Sequence, residues 1–145
     1  MITRSRLALM SASALLVAGG TLVAAPSASA SASAGCYASS CYGKDPDSTG
    51  CSNDAQMIDR VPASGSKYVK LDYSPTCRAA WAKVVGADLD TEFWVATKNT
   101  GQEQVRYSYG AYGWTPMVND AGTTSHACFY YYADDNTSKW CTIYY

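Results

Sequence analysis

The sequence predicts an all-β fold, a small antiparallel β-barrel or sandwich stapled by disulfides. Three observations carry that expectation. Short stretches rich in aromatic and β-branched residues recur between turn residues about every eight to twelve positions, with little helical periodicity. The chain holds 12 Tyr, 4 Trp and 2 Phe, all of them after Cys36, and such side chains suit a pleated, half-buried surface. Its six cysteines, Cys36, Cys41, Cys51, Cys77, Cys128 and Cys141, all follow an export signal, in a compartment where thiols oxidise.

The export signal comes first. Arg4 and Arg6 form a positive start, Leu7 to Ala25 an apolar stretch broken by serines and glycines, and a Ser-Ala run follows. Signal peptidase needs small residues one and three positions before its cut, so Ala30, Ala32 and Ala34 each qualify. Residues 1–34 therefore read as a signal peptide and 35–145 as one secreted, extracellular domain, with no stable membrane insertion after cleavage. Ala34-Gly35-Cys36 has the outline of a lipobox end. Ser33 stands where that motif wants a large aliphatic residue, and lipidating Cys36 would leave an odd number of cysteines.

Gly35 to Asp54 reads as loop, with Gly43-Lys44-Asp45-Pro46 as a turn signal. Strand patterns then follow. Ala55 to Val61 is weak; Tyr68 to Tyr73 alternates, with Val69, Leu71 and Tyr73 on one face. Ala79 to Val85 reads as strand because no helix cap accompanies it. Glu92 to Thr97, Val105 to Tyr109, Trp114 to Val118, Ala127 to Ala133 and Lys139 to Tyr145 complete the set.

Hairpin register predicts the disulfides. Opposed residues of an antiparallel hairpin are equidistant from its turn. Cys128 and Cys141 share a midpoint between Asp134 and Asp135, in turn-forming Ala-Asp-Asp-Asn, and the same register sets Phe129 opposite Trp140. Cys51 and Cys77 centre on Ser64 in Pro62-Ala63-Ser64-Gly65, with Met57 opposite Leu71 and Ala55 opposite Tyr73. That leaves Cys36–Cys41 by exclusion.

Two elements carry a family resemblance. Cys36-x4-Cys41-x-Gly43-Lys44-Asp45-Pro46-x3-Gly50-Cys51, and Leu71-x-Tyr73-Ser74-Pro75-x-Cys77-x-Ala79-x-Trp81-Ala82, resemble DUF2690, a domain family of unknown function common in actinobacteria. Trp114-Thr115-Pro116-Met117-Val118 looks like a further family element, while Cys128 and Cys141 look like additions to its four cysteines. The resemblance implies a small extracytoplasmic domain, secreted alone or following a regulatory region. It supplies no activity and no catalytic residues. No DNA-binding segment is recognisable, so a regulatory role does not carry over.

From Gly35 on the chain has nine Lys/Arg against twelve Asp/Glu, net −3, with no linear basic run, so nucleic acid is not an expected partner. The cysteine spacings do not match a zinc pattern, and six paired cysteines leave no thiol nucleophile. His126 is the lone histidine, without a Gly-x-Ser-x-Gly elbow beside it. Asp88, Asp90 and Glu92, or Asp45 and Asp47, offer oxygen ligands, yet neither set follows an EF-hand loop, and turn chemistry accounts for them. No catalytic residue, metal ligand set or cofactor is assigned.

The most suggestive stretch is Tyr107-Ser108-Tyr109-Gly110-Ala111-Tyr112-Gly113-Trp114. Flat rings with polar tips stack on sugar faces or peptide groups, which makes Tyr107, Tyr109, Tyr112 and Trp114 the candidate binding residues. The expected role is a non-catalytic binding or interaction module for a cell-envelope polysaccharide or protein. The alternatives are a small extracellular hydrolase using carboxylates and His126, which asks for a cleft where these groups converge, and a secreted inhibitor or toxin presenting the Cys41–Cys51 loop. The sequence leaves the oligomeric state open.

Overall fold

The computed structural model describes residues 34–133 and 136–145. The expected export signal, up to residue 33, and the expected turn centre at Asp134-Asp135 lie outside them. Two antiparallel sheets face each other, and they do not close into a barrel. One sheet runs β1 (Gln56–Pro62), β2 (Tyr68–Ser74), β3 (Ala79–Val85) and β6 (Tyr112–Trp114), with the short β7 (Val118–Asn119) also on β3. The other runs β5 (Glu103–Tyr107), β4 (Glu92–Thr97), β8 (Ser125–Ala133) and β9 (Asn136–Cys141).

Alternation along the strands builds the core between them. Val69, Leu71, Ala80, Ala82, Val84 and Val118 of the first sheet meet Phe93, Val95, Ala127 and Phe129 of the second, all buried. Intervening residues point outward. On the outer face of the second sheet, Trp94, Cys128 and Cys141 occupy opposed positions, and the Cys128–Cys141 disulfide bridges β8 to β9 with Phe129 opposite Trp140.

The first hairpin departs from the expected register. Val61 pairs with Val69 and Asp59 with Leu71, two residues off the expected register, because the turn centres on Gly65 rather than Ser64; a bulge in β1 between Met57 and Asp59 then sets Met57 opposite Asp72 and Gln56 opposite Tyr73. Ile58 packs against the core and Met57 is exposed, so the expected Met57–Leu71 and Ala55–Tyr73 pairs do not form. Cys51 and Cys77 are nonetheless bonded. They meet beyond the strand ends: Asp54, closing the 3₁₀ turn Cys51–Asp54, accepts from the Ser74 hydroxyl and the Thr76 N–H, and Ser74 Oγ accepts the Cys77 N–H.

The expected strand from Trp114 to Val118 is two. Pro116 has no N–H to give a ladder, and the Thr115 N–H and Oγ1 both bond the Ala82 backbone. Met117 then pairs instead with Gly43 and Lys44. The strand expected over Val105 to Tyr109 is shifted toward the N-terminus, to Glu103–Tyr107, and the one expected from Lys139 to Tyr145 ends at Cys141.

The segment 34–54 caps part of the outer face of the first sheet. Cys36–Cys41 and Cys51–Cys77 lie together there, the Cys36 and Cys51 sulfurs 3.6 Å apart, and pack on Ala79, Trp81 and Met117. This second apolar cluster gives a chain of modest size a supplement to its core.

Candidate functional site

The cap stops short of the sheet edge, and two hollows flank its border. The larger, about 280 Å³, opens where the edge strands β5 and β6 approach each other. Phe93 and Gly113 line its base. Around them stand Tyr107, Tyr109, Tyr112 and Trp114, with Asp45 and Arg106 as charged groups. The four aromatics are exposed, Tyr109 to 90 %. Gly113 is required by close approach: a Cβ there would lie 2.9 Å from Phe93 Cζ. The missing side chain lets the Phe93 ring lie directly under the β6 backbone.

Asp45 organises this rim. Its Oδ1 accepts the Asp47 and Ser48 N–H groups, an Asx turn that shapes the disulfide-bounded loop, and its Oδ2 accepts the Trp114 indole N–H at 3.0 Å. Burial pushes this carboxyl up, but the bonds from Ser48, Trp114 and Asp47 and the Arg106 charge outweigh it, so Asp45 ionises below the ordinary range. Tyr107 donates its hydroxyl to Glu92 Oε2 at 3.1 Å, which fixes a second ring.

The smaller hollow, about 180 Å³, is the crevice between cap and sheet. Pro46, Asp47 and Ser52 form its cap side; Lys70, Asp72, Trp81 and Lys83 form its sheet side. Trp114 lines both hollows and is their common wall.

The other sequence candidates lie apart. His126 is half-buried, stacked on Tyr144 with ring centroids 4.1 Å apart; burial and then the Lys139 charge lower its pKa. Asp120 is buried with Ser125 donating to it at 2.9 Å; burial raises it to about 6 against the opposing Ser125 bond and Arg78 charge. Neither group lines the two hollows. Asp88 pairs with Lys67, Glu92 takes the Tyr107 hydroxyl, and Asp90 adopts a left-handed turn conformation, so these three do not converge on one point. The four sulfurs of the cap lie within 4.8 Å of one another and close as two disulfides, leaving no free cysteine.

Sequence reasoning singled out the four rings, in a stretch that includes Gly113, but not Phe93 or Arg106. It treated Asp45 only as a turn residue or oxygen ligand. The Asp-Pro turn signal was visible; the hydrogen bond from Trp114 to its aspartate was not. The model of a family described as a protein of unknown function, DUF2690, matches residues 39–128.

The chain belongs to the DUF2690 family. The DUF2690 match takes in Asp45, Phe93, Arg106 and all four rings, and leaves Cys36 and Cys141 outside it. No curated protein and no solved structure matches the chain.

Proposed function

We propose that this chain is a secreted, non-catalytic binding module whose ligand is a cell-envelope component, with a glycan as the favoured class. The observation that carries the reading is the convergence of Tyr107, Tyr109, Tyr112 and Trp114 on one hollow, exposed and bordered by Asp45 and Arg106. Exposed aromatics gathered at one place cost solvation unless a ligand covers them. Sugar rings offer apolar faces to such planes and hydroxyls to flanking charges.

Export to an oxidising place fits three disulfides, and among the described residues no helix is long and apolar enough to cross a membrane. A hydrolase needs an acid and a base within reach of one scissile bond. Asp120 and His126 carry shifted pKa values away from the hollow, while Asp45 is already engaged by three donors.

The test is retention of the mature protein on insoluble cell-wall polymer, compared with Trp114→Ala and Tyr109→Ala. Retention of the parent and loss in both variants is expected. No retention, or variants retained like the parent, would remove the glycan reading.

A further inference from the structure

The net negative chain hides a cationic row that strand pairing assembles. Arg60 is opposite Lys70, Lys70 opposite Lys83, and Lys83 opposite Trp114. Opposed residues in an antiparallel sheet share a face, so these four side chains cross β1, β2, β3 and β6 in line on the outer face. Three interstrand steps make the row about 14 Å long.

Like charges held directly opposite destabilise a sheet. Internal compensation is partial. Lys70 is paired with Asp72 at 2.8 Å. Lys83 Nζ lies 5.8 Å from the Trp114 ring centroid, and Arg60 Cζ lies 5.6 Å from that of Tyr68. Neither Arg60 nor Lys83 forms an ion pair among the described residues. Asp47 is the other carboxylate on the smaller hollow, across from the row on its cap side. Against Asp72 and Asp47 the three cations of the row keep one positive charge in excess, and the row ends at Trp114, which is bonded to Asp45 beside Arg106 and also lines the aromatic hollow.

We infer that this row docks an acidic glycan, with a sugar ring at Trp114 and carboxylate or phosphate groups along Lys83, Lys70 and Arg60. The inference rests on the proposed glycan reading of the aromatic hollow and names the ligand's charge. Because Trp114 belongs to both hollows, one chain crossing it reaches rings on one side and cations on the other. An anion set between Lys70 and Lys83 relieves their mutual repulsion, so binding draws on an unfavourable contact built into the free protein.

The test measures binding of the mature protein to three soluble probes: polygalacturonate, a phosphorylated dextran and a neutral chito-oligosaccharide. The variants are Arg60→Gln/Lys83→Gln, Lys83→Arg, Trp114→Ala and, on the other sheet, Lys139→Gln. At least one acidic probe is expected to bind more tightly than the neutral one, with affinity falling as salt rises. The double Gln variant is expected to lose at least about tenfold for that probe, a charge-dependent loss. Lys83→Arg and Lys139→Gln keep the parental affinity. The acidic probe that binds identifies the carboxylate or phosphate source.

Acidic probes bound no better than the neutral one, or a double Gln variant indistinguishable from the parent, would overturn the inference. If the neutral probe still binds through Trp114, the glycan reading survives that failure. If no probe binds and cell-wall polymer is not retained, both fall. Thermal unfolding of each variant separates loss of affinity from loss of fold.

Discussion

Trp114 Nε1 donates to Asp45 Oδ2 across 3.0 Å, joining residues 69 positions apart in sequence. The bond ties the disulfide-bounded loop to the edge strand β6. It holds the indole that separates the two hollows, so the loop's turn chemistry and the ligand surface are one unit.

Asp45→Ala should therefore loosen Trp114 as well as the turn. A loss of about 1–2 kcal/mol in chemical denaturation is expected for removing charge-assisted bonds at a half-exposed site. In nuclear magnetic resonance the Trp114 indole N–H should shift in this variant. The folded Asp45 carboxyl ionises below its ordinary range, so its stabilisation is present above the unfolded pKa and lost as pH falls through the folded value. The same resonance should move in acid. An indole signal unmoved by Asp45→Ala would break the link.

Gly113→Ala places a methyl group against the buried Phe93 ring, at 2.9 Å from Cζ. Overpacking of this kind costs about 1–3 kcal/mol. Denaturant midpoints check it. Phe93→Leu in the same chain should recover part of the loss, because the obstructing ring is gone.

Asp120 gives stability an unusual slope. Its folded pKa is raised to about 6 from 3.8. Its contribution is full below the unfolded pKa and is lost as pH rises through the folded one, on the order of 3 kcal/mol across that window. Asp120→Asn keeps an acceptor for Ser125 without the buried charge. It should match the parent near pH 4 and exceed it at pH 8. Parallel pH profiles for the two proteins would show that Asp120 carries no such penalty.

The disulfides should rank by loop length. Sequence separations of 26, 13 and 5 for Cys51–Cys77, Cys128–Cys141 and Cys36–Cys41 imply about 3.5, 3 and 2 kcal/mol from chain entropy. Replacing each pair by alanines and measuring unfolding tests the order. A larger loss for Cys36–Cys41 than for Cys51–Cys77 would mean that packing in the cap outweighs loop entropy.

Particular residues show how far the sequence reaches. The Phe129–Trp140 register was legible because β8 and β9 form one tight hairpin, so local counting suffices. The same counting missed the β1–β2 register, since the turn centres on Gly65 rather than Ser64 and a bulge near Ile58 adds a residue that alternation does not announce. Trp114 to Val118 read as one strand because Pro116 interrupts a pattern whose flanking residues still suit a sheet. The four candidate rings were visible as a cluster in sequence. Their shared exposure depends on β6 being an edge strand and on Gly113 letting Phe93 lie beneath it.

By itself the sequence determined the all-β class and the DUF2690 resemblance, and its cysteines favour an oxidising setting. These rest on alternation, turn residues and spaced cysteines, all of which act over a few neighbouring positions. Only the tertiary structure decided that two sheets face each other without closing. It also brought Asp45 to Trp114 and aligned Arg60, Lys70 and Lys83 with that ring. Their proximity comes from strand order and register, set by packing across the whole core. A chain with no linear basic run thus presents a basic row.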